Sequence, residues 1–107
     1  MRVLKFIVDG QTIKQDPDCD FSGLVPGSES YIEADFSFSK EWRNVVKVAG
    51  FYSNLGKEHK PQLLKDGHTC IIPPEATKNR IFKVCVFGKS DSYNLKTNKI
   101  SIDQKGG

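Results

Sequence analysis

The sequence predicts an all-β domain of about eight short strands, arranged as a sandwich or small barrel. Three observations carry that expectation. Apolar and polar residues alternate with period two along most of the chain, and the helical period is not sustained. Turn signals recur at short intervals: Asp9-Gly10, Asp16-Pro17, Pro26-Gly27, Asp66-Gly67 and Thr97-Asn98. The 9 Gly and 5 Pro suit a turn-rich chain better than a helical bundle. No alternation of strand and helix is present, which argues against a doubly wound nucleotide-binding sheet. There is no internal repeat and no low-complexity tract.

The elements follow in order. Residues 3–8 set Leu4, Phe6 and Val8 against Val3, Lys5 and Ile7, and residues 11–14 supply a return strand. Asp9-Gly10 between them suits the positive φ angles of a tight hairpin. Residues 15–29 are mainly loop. Residues 31–38 form a half-buried strand, with Ile32, Ala34, Phe36 and Phe38 on the dry face and Tyr31, Glu33, Asp35 and Ser37 on the wet one. Ser39-Lys40-Glu41-Trp42 makes a corner. Residues 45–53 form the next strand, where Gly50 marks a bulge or a close backbone approach. After a loop over residues 54–60, residues 62–64 and 69–72 are expected to form a second hairpin around Asp66-Gly67.

Pro73-Pro74-Glu75-Ala76 opens at most one short helical turn, since Pro is tolerated at a helix start. Residues 81–87 are the most apolar run after it and are placed as a central strand. Residues 91–95 and 99–103 form a final strand pair with Thr97-Asn98 near the turn. Gly106-Gly107 reads as a frayed end or a domain boundary. Phe36, Val84 and Val86 are the expected core between the sheets.

Composition bounds the function. A chain of 107 residues forms one domain, 1–107, and 37% hydrophobic residues with seven Phe provide one core. The formal charge is +3, with 16 basic side chains spread from Arg2 to Lys105 among 13 acidic ones. Nucleic-acid binding needs basic residues clustered on one face. The densest stretch, residues 57–65, includes Glu58 and lies in a loop, so nucleic acid is not the expected partner. No apolar run approaches the ~18 residues of a membrane span. The opening eight residues are too short for a signal sequence and no small-residue cleavage site follows, so an intracellular place of synthesis is expected. Three cysteines at wide spacings do not make a disulfide framework and are expected as free thiols.

Chemistry is sparse. Neither a Walker pattern nor GxGxxG is present, and Gly10, Gly67 and Gly88 are assigned to turns. Metal binding has one candidate set. His68 and Cys70 are two apart in a predicted strand, Cys85 could lie on a neighbouring strand, and His59 could add a ligand. Paired CxxC spacing is absent, so no structural zinc is expected. Cys85 lies in the most apolar strand, where burial raises a thiol's pKa, and Cys19 has no His nearby in sequence, so no nucleophile is assigned. Glu33 and Asp35 share a strand face, and alternation alone explains them as its solvent side. Trp42 could anchor a partner, but its place at a strand corner favours packing at the core edge. No catalytic, metal or cofactor-binding residue and no cofactor is assigned. The chain is not expected to be an enzyme, and the partner-binding residues are left open.

From Trp42 onward the order of features supports a resemblance. Trp42 precedes Val45-Val46-Lys47-Val48-Ala49-Gly50-Phe51, and a polar loop leads to Cys70-Ile71-Ile72-Pro73-Pro74-Glu75. Phe82-Lys83-Val84-Cys85-Val86-Phe87-Gly88 follows, and Leu95-Lys96-Thr97-Asn98-Lys99-Ile100-Ser101-Ile102 closes the chain. This order resembles the small β-sandwich domains near the N-termini of tail and baseplate proteins in phages of Gram-positive bacteria. The resemblance covers roughly the last two-thirds of the chain and rests on short motifs. It implies an antiparallel immunoglobulin-like sandwich, a phage or prophage origin, and a role in virion assembly as a structural or accessory protein. It supplies no catalytic residues. Such domains usually continue into a fibre or receptor-binding region, whereas this sequence stops at Gly107, which leaves room for an alternative: a small phage-encoded inhibitor that binds a host defence protein. Either reading implies a protein partner or a homo-oligomer, no membrane, and a place in the virion or the bacterial host cytoplasm.

Overall fold

The structure, a computed structural model, describes residues 1–105. Gly106-Gly107, read above as a frayed end or boundary, lies outside the described residues. Nine strands occur among them: β1 (Arg2–Asp9), β2 (Thr12–Gln15), β3 (Ile32–Phe38), β4 (Val46–Ser53), β5 (Gln62–Leu63), β6 (Thr69–Ile71), β7 (Ile81–Lys89), β8 (Asn94–Lys96) and β9 (Ile100–Asp103). A turn of 3-10 helix spans Lys40–Trp42, and a single helical turn, α1, spans Pro74–Thr77 with Pro at its start. The strands form two packed sheets, β2-β1-β3-β6 and β5-β4-β7, the latter flanked by β8 and β9. The molecule is an all-β sandwich. No helix among the described residues is long and apolar enough to cross a membrane.

The hairpin β1–β2 forms as expected, with Gly10 at φ +58° in the two-residue loop. β3 pairs with β1 in parallel, which the expectation of wholly antiparallel pairing missed. The reason lies in residues 16–31. β2 ends at Gln15, opposite Phe6 in the middle of β1, and the loop runs on past the start of β1, held by Arg2 Nη2 donating to the carbonyls of Asp20 and Ser22 at 2.9 and 2.6 Å. It delivers Ile32 opposite Arg2, on the other side of β1. Phe21 packs edge-on against Phe6 and Leu24 is buried, so the loop also closes part of the core.

Two further pairings differ from expectation. β5 and β6 do not form a hairpin, because β5 joins β4 in one sheet and β6 joins β3 in the other. The Asp66-Gly67 turn, with both residues at positive φ, carries the chain between the sheets while Leu64 drops into the core. Nor do β8 and β9 pair with each other. Both lie along one edge of β7, and residues 97–99 form a bulge opposite Cys85 and Val86. Thr97 keeps the ladder closed across this bulge. Its N–H donates to Val86 O and its Oγ1 accepts from Val86 N, each at 3.0 Å. Asn98 then reaches the other sheet, its Oδ1 accepting from Ile13 N at 2.9 Å.

Phe36, Val84 and Val86 are buried, with Ile32 and Ala34 on the same face of β3 as Phe36. Trp42 is completely buried, and its Nε1 donates to Gly10 O at 2.8 Å. Trp42 also explains Gly88, which stands inside β7 rather than in a turn. A Cβ there would lie 2.4 Å from Val45 and 2.7 Å from the Trp42 ring. Gly50 is in regular register opposite Cys85, with the Phe87 ring where a Cβ would stand, so it marks a close approach rather than a bulge.

Candidate functional site

The outer face of the second sheet is built by the same alternation that builds the core. Ala49 and Phe51 of β4, and Val84 and Val86 of β7, belong to the core cluster. Val46, Val48, Gly50 and Tyr52 therefore point outward beside Lys83, Cys85, Phe87 and Lys89. β5 adds Leu63 opposite Val48, and β8 adds Lys96 opposite Phe87. This face is only partly covered. Val46 and Leu63 are 62% and 68% exposed, and Val48 and Phe87 are half-buried. A shallow hollow of about 890 Å³ runs over Val46, Val48 and Phe87 to Leu95.

Lysines rim the apolar floor. Lys96 Nζ stands 5.4 Å from the centre of the Phe87 ring, and Lys99 Nζ stands 3.9 Å from that of Tyr52. Lys89 and Lys96 line the hollow together with one carboxylate, Asp91. At the far edge, Asp103 is engaged by Arg80 Nε at 3.1 Å. The face thus offers apolar contact beside basic charge. Beneath it, Tyr52 and Cys85 are buried. Burial raises the Tyr52 hydroxyl pKa far above its ordinary value, with the neighbouring Cys85 adding to the effect. Burial also raises that of Cys85, against the opposing pull of a Tyr52 hydrogen bond and of Lys96 and Lys99.

The residues weighed for metal or nucleophilic chemistry are dispersed. Cys70 lies in β6 and faces the core of the first sheet, where burial pushes its thiol up to about 12. His68 precedes that strand and is largely exposed, its Nδ1 3.0 Å from Asp35 Oδ1. Cys85 belongs to the other sheet and lies outside the core cluster, so the structure does not bring it together with His68 and Cys70. His59 lies in the loop before β5, with a buried Nε2 that finds no partner among the described residues. No group of three His, Cys, Asp or Glu side chains among the described residues could hold a metal ion. Glu33 and Asp35 stand on the outer side of β3, as alternation requires. Cys19, in the loop, has its Sγ 3.4 Å from Lys5 N.

Sequence reasoning assigned no role to Val46, Val48, Leu63 or Phe87. For Val46, Val48 and Phe87 a second apolar face was legible, since β4 and β7 carry apolar residues on both faces, more than a strand with one wet face requires, but whether that face is covered was not. Comparison with models of protein families, with curated proteins and with solved structures finds no match.

Proposed function

We propose that this domain is a protein-binding module that docks its partner on the outer face of the second sheet, and that it serves as a structural or accessory component of a phage or prophage virion. The exposed apolar floor rimmed by Lys89 and Lys96 carries the docking assignment. Exposed apolar surface flanked by charge is characteristic of interaction sites. The partner that fits presents apolar side chains beside acidic ones, which place carboxylates against the lysines. The virion assignment draws on the motif order from Trp42 to Ile102 described above.

The test is direct binding between this protein and purified tail or baseplate subunits encoded beside it. Val46→Asp places a charge in the floor at an exposed position, where the fold tolerates it. The expected result is a loss of affinity of about tenfold or more, ~1.4 kcal/mol, with unchanged thermal unfolding. Lys96→Glu should weaken binding mainly through a slower association rate. Full affinity in both variants would remove the face from consideration. Failure of every virion subunit to bind, combined with tight duplex-DNA binding that falls steeply with salt, would overturn the protein-binding reading.

A further inference from the structure

β9 is an open sheet edge, whereas the other edges are stoppered or very short. On β2, the outward N–H of Ile13 is taken by Asn98. On β6, both backbone groups of Thr69 bond to Lys65. β5 is two residues long. On β9, the bond from Gln104 N to Arg80 O sets the phase of the ladder with β7. Ile100 and Ile102 face β7 with their backbone groups, so the N–H and C=O of Ser101 and Asp103 point away from the sheet. Among the described residues no segment bonds to them. Such an edge pairs readily with another strand unless something prevents it.

The sequence of this edge matches itself. Lys99-Ile100-Ser101-Ile102-Asp103, laid antiparallel against a second copy with Ser101 opposite Ser101, sets Lys99 of each chain opposite Asp103 of the other. Both ion pairs then lie on the outer side of the sheet and close a two-fold arrangement. Ile100 meets Ile102 of the second copy on the inner side, where Ile102 is already buried and Ile100 is half-covered. Asp103 has capacity for the new contact, since Arg80 uses only Oδ1. Ser101 and Asp103 are also the residues of β9 whose backbone groups face outward, so the register that pairs the charges also sets Ser101 opposite Ser101 for hydrogen bonding.

We infer that the protein forms a two-fold dimer by antiparallel β9–β9 pairing, which joins the second sheets of two copies into one continuous sheet. This rests on the β9 edge and leaves the floor of the docking face free, although Lys99 belongs to the rim of that face as well. Sedimentation equilibrium on the full chain tests it across a concentration series. Wild type should dimerise reversibly. Asp103→Lys and Lys99→Asp each set like charges opposite one another and should shift the protein to monomer. The double exchange Lys99→Asp with Asp103→Lys restores complementary pairs and should restore the dimer. Ser101→Pro removes an outward N–H without touching the bonds to β7, and should give a folded monomer by circular dichroism. Val46→Asp, in the docking face, should leave dimerisation unchanged. A wild-type protein that stays monomeric up to about 1 mM would overturn the inference. So would a dimer that persists equally in Asp103→Lys and Ser101→Pro.

Discussion

At the scale of single residues, the thiols show how position in the sandwich decides chemistry. Cys70 and Cys85 are both buried, one facing the core and the other beneath Tyr52, while Cys19 is partly accessible. Burial disfavours a thiolate, so the folded state holds both protons beyond the ordinary thiol value of 9.0. Above that pH the unfolded chain releases protons that the native state keeps. Stability attributable to these groups is therefore complete below pH 9 and falls as pH rises toward the folded value, about 12 for Cys70. Between about pH 9 and 10 the unfolding free energy should fall with a slope approaching 1.4 kcal/mol per pH unit from Cys70, and Cys85 adds to it in the same direction. Above about pH 10 the raised Tyr52 hydroxyl adds to the decline. Urea titrations at successive pH values would measure this, and Cys70→Ala should flatten the slope. An identical slope in that variant would show that Cys70 ionises as freely in the folded protein as in the unfolded one.

At the scale of elements, the stretch between β8 and β9 shows how a turn-like dipeptide can join two sheets. Thr97-Asn98 sits at a bulge where the strand changes register along β7. Thr97 supplies the acceptor that Val86 N requires in the buried ladder, and Asn98 supplies one to Ile13 N of the facing sheet. Thr97→Val is nearly isosteric but leaves a buried N–H without a partner. It should cost about 1–3 kcal/mol, read as a lower urea midpoint with an unchanged m-value. Asn98→Ala acts at an exposed position where water can replace the acceptor, and should cost less. Equal and negligible losses would mean that the backbone alone closes the bulge. The dipeptide was legible as a turn signal. Its two partners were not, because both come from strands distant in sequence.

At the scale of the whole molecule, the order of pairing sets how the domain forms. β1 pairs locally with β2, but β3 must find β1 after a long loop, and β6 must find β3 after the chain has built part of the other sheet. Loop-closure entropy opposes each of these steps before contacts compensate for it. Refolding by stopped-flow dilution from urea should therefore be slow for a domain of this size, in the range of milliseconds to seconds. Completion in microseconds would mean that the pairings form early and locally. The same arrangement leaves the second sheet with an uncovered outer face and an open edge, the two surfaces assigned here to a partner and to a second copy.

The sequence by itself determined the elements and the buried side of the best of them. Ile32, Ala34 and Phe36 had to share a dry face because Glu33 and Asp35 between them require water, and Gly10 had to turn because Asp9-Gly10 separates two alternating runs. Ile81 onward had to be central because no residue from Phe82 to Val86 except Lys83 tolerates a wet surface. Apart from the β1–β2 hairpin, which strand lies beside which was decided only in three dimensions. Backbone hydrogen bonds are the same whatever side chains they connect, so nothing local distinguishes a β5–β6 hairpin from two strands that leave for different sheets. The choice follows from burying Leu64 between the sheets and from the loop that wraps Arg2. The exposure of Val46, Leu63 and Phe87 was likewise beyond local reading, because an apolar side chain on a second strand face is covered or left bare according to what the rest of the chain has available to lay over it.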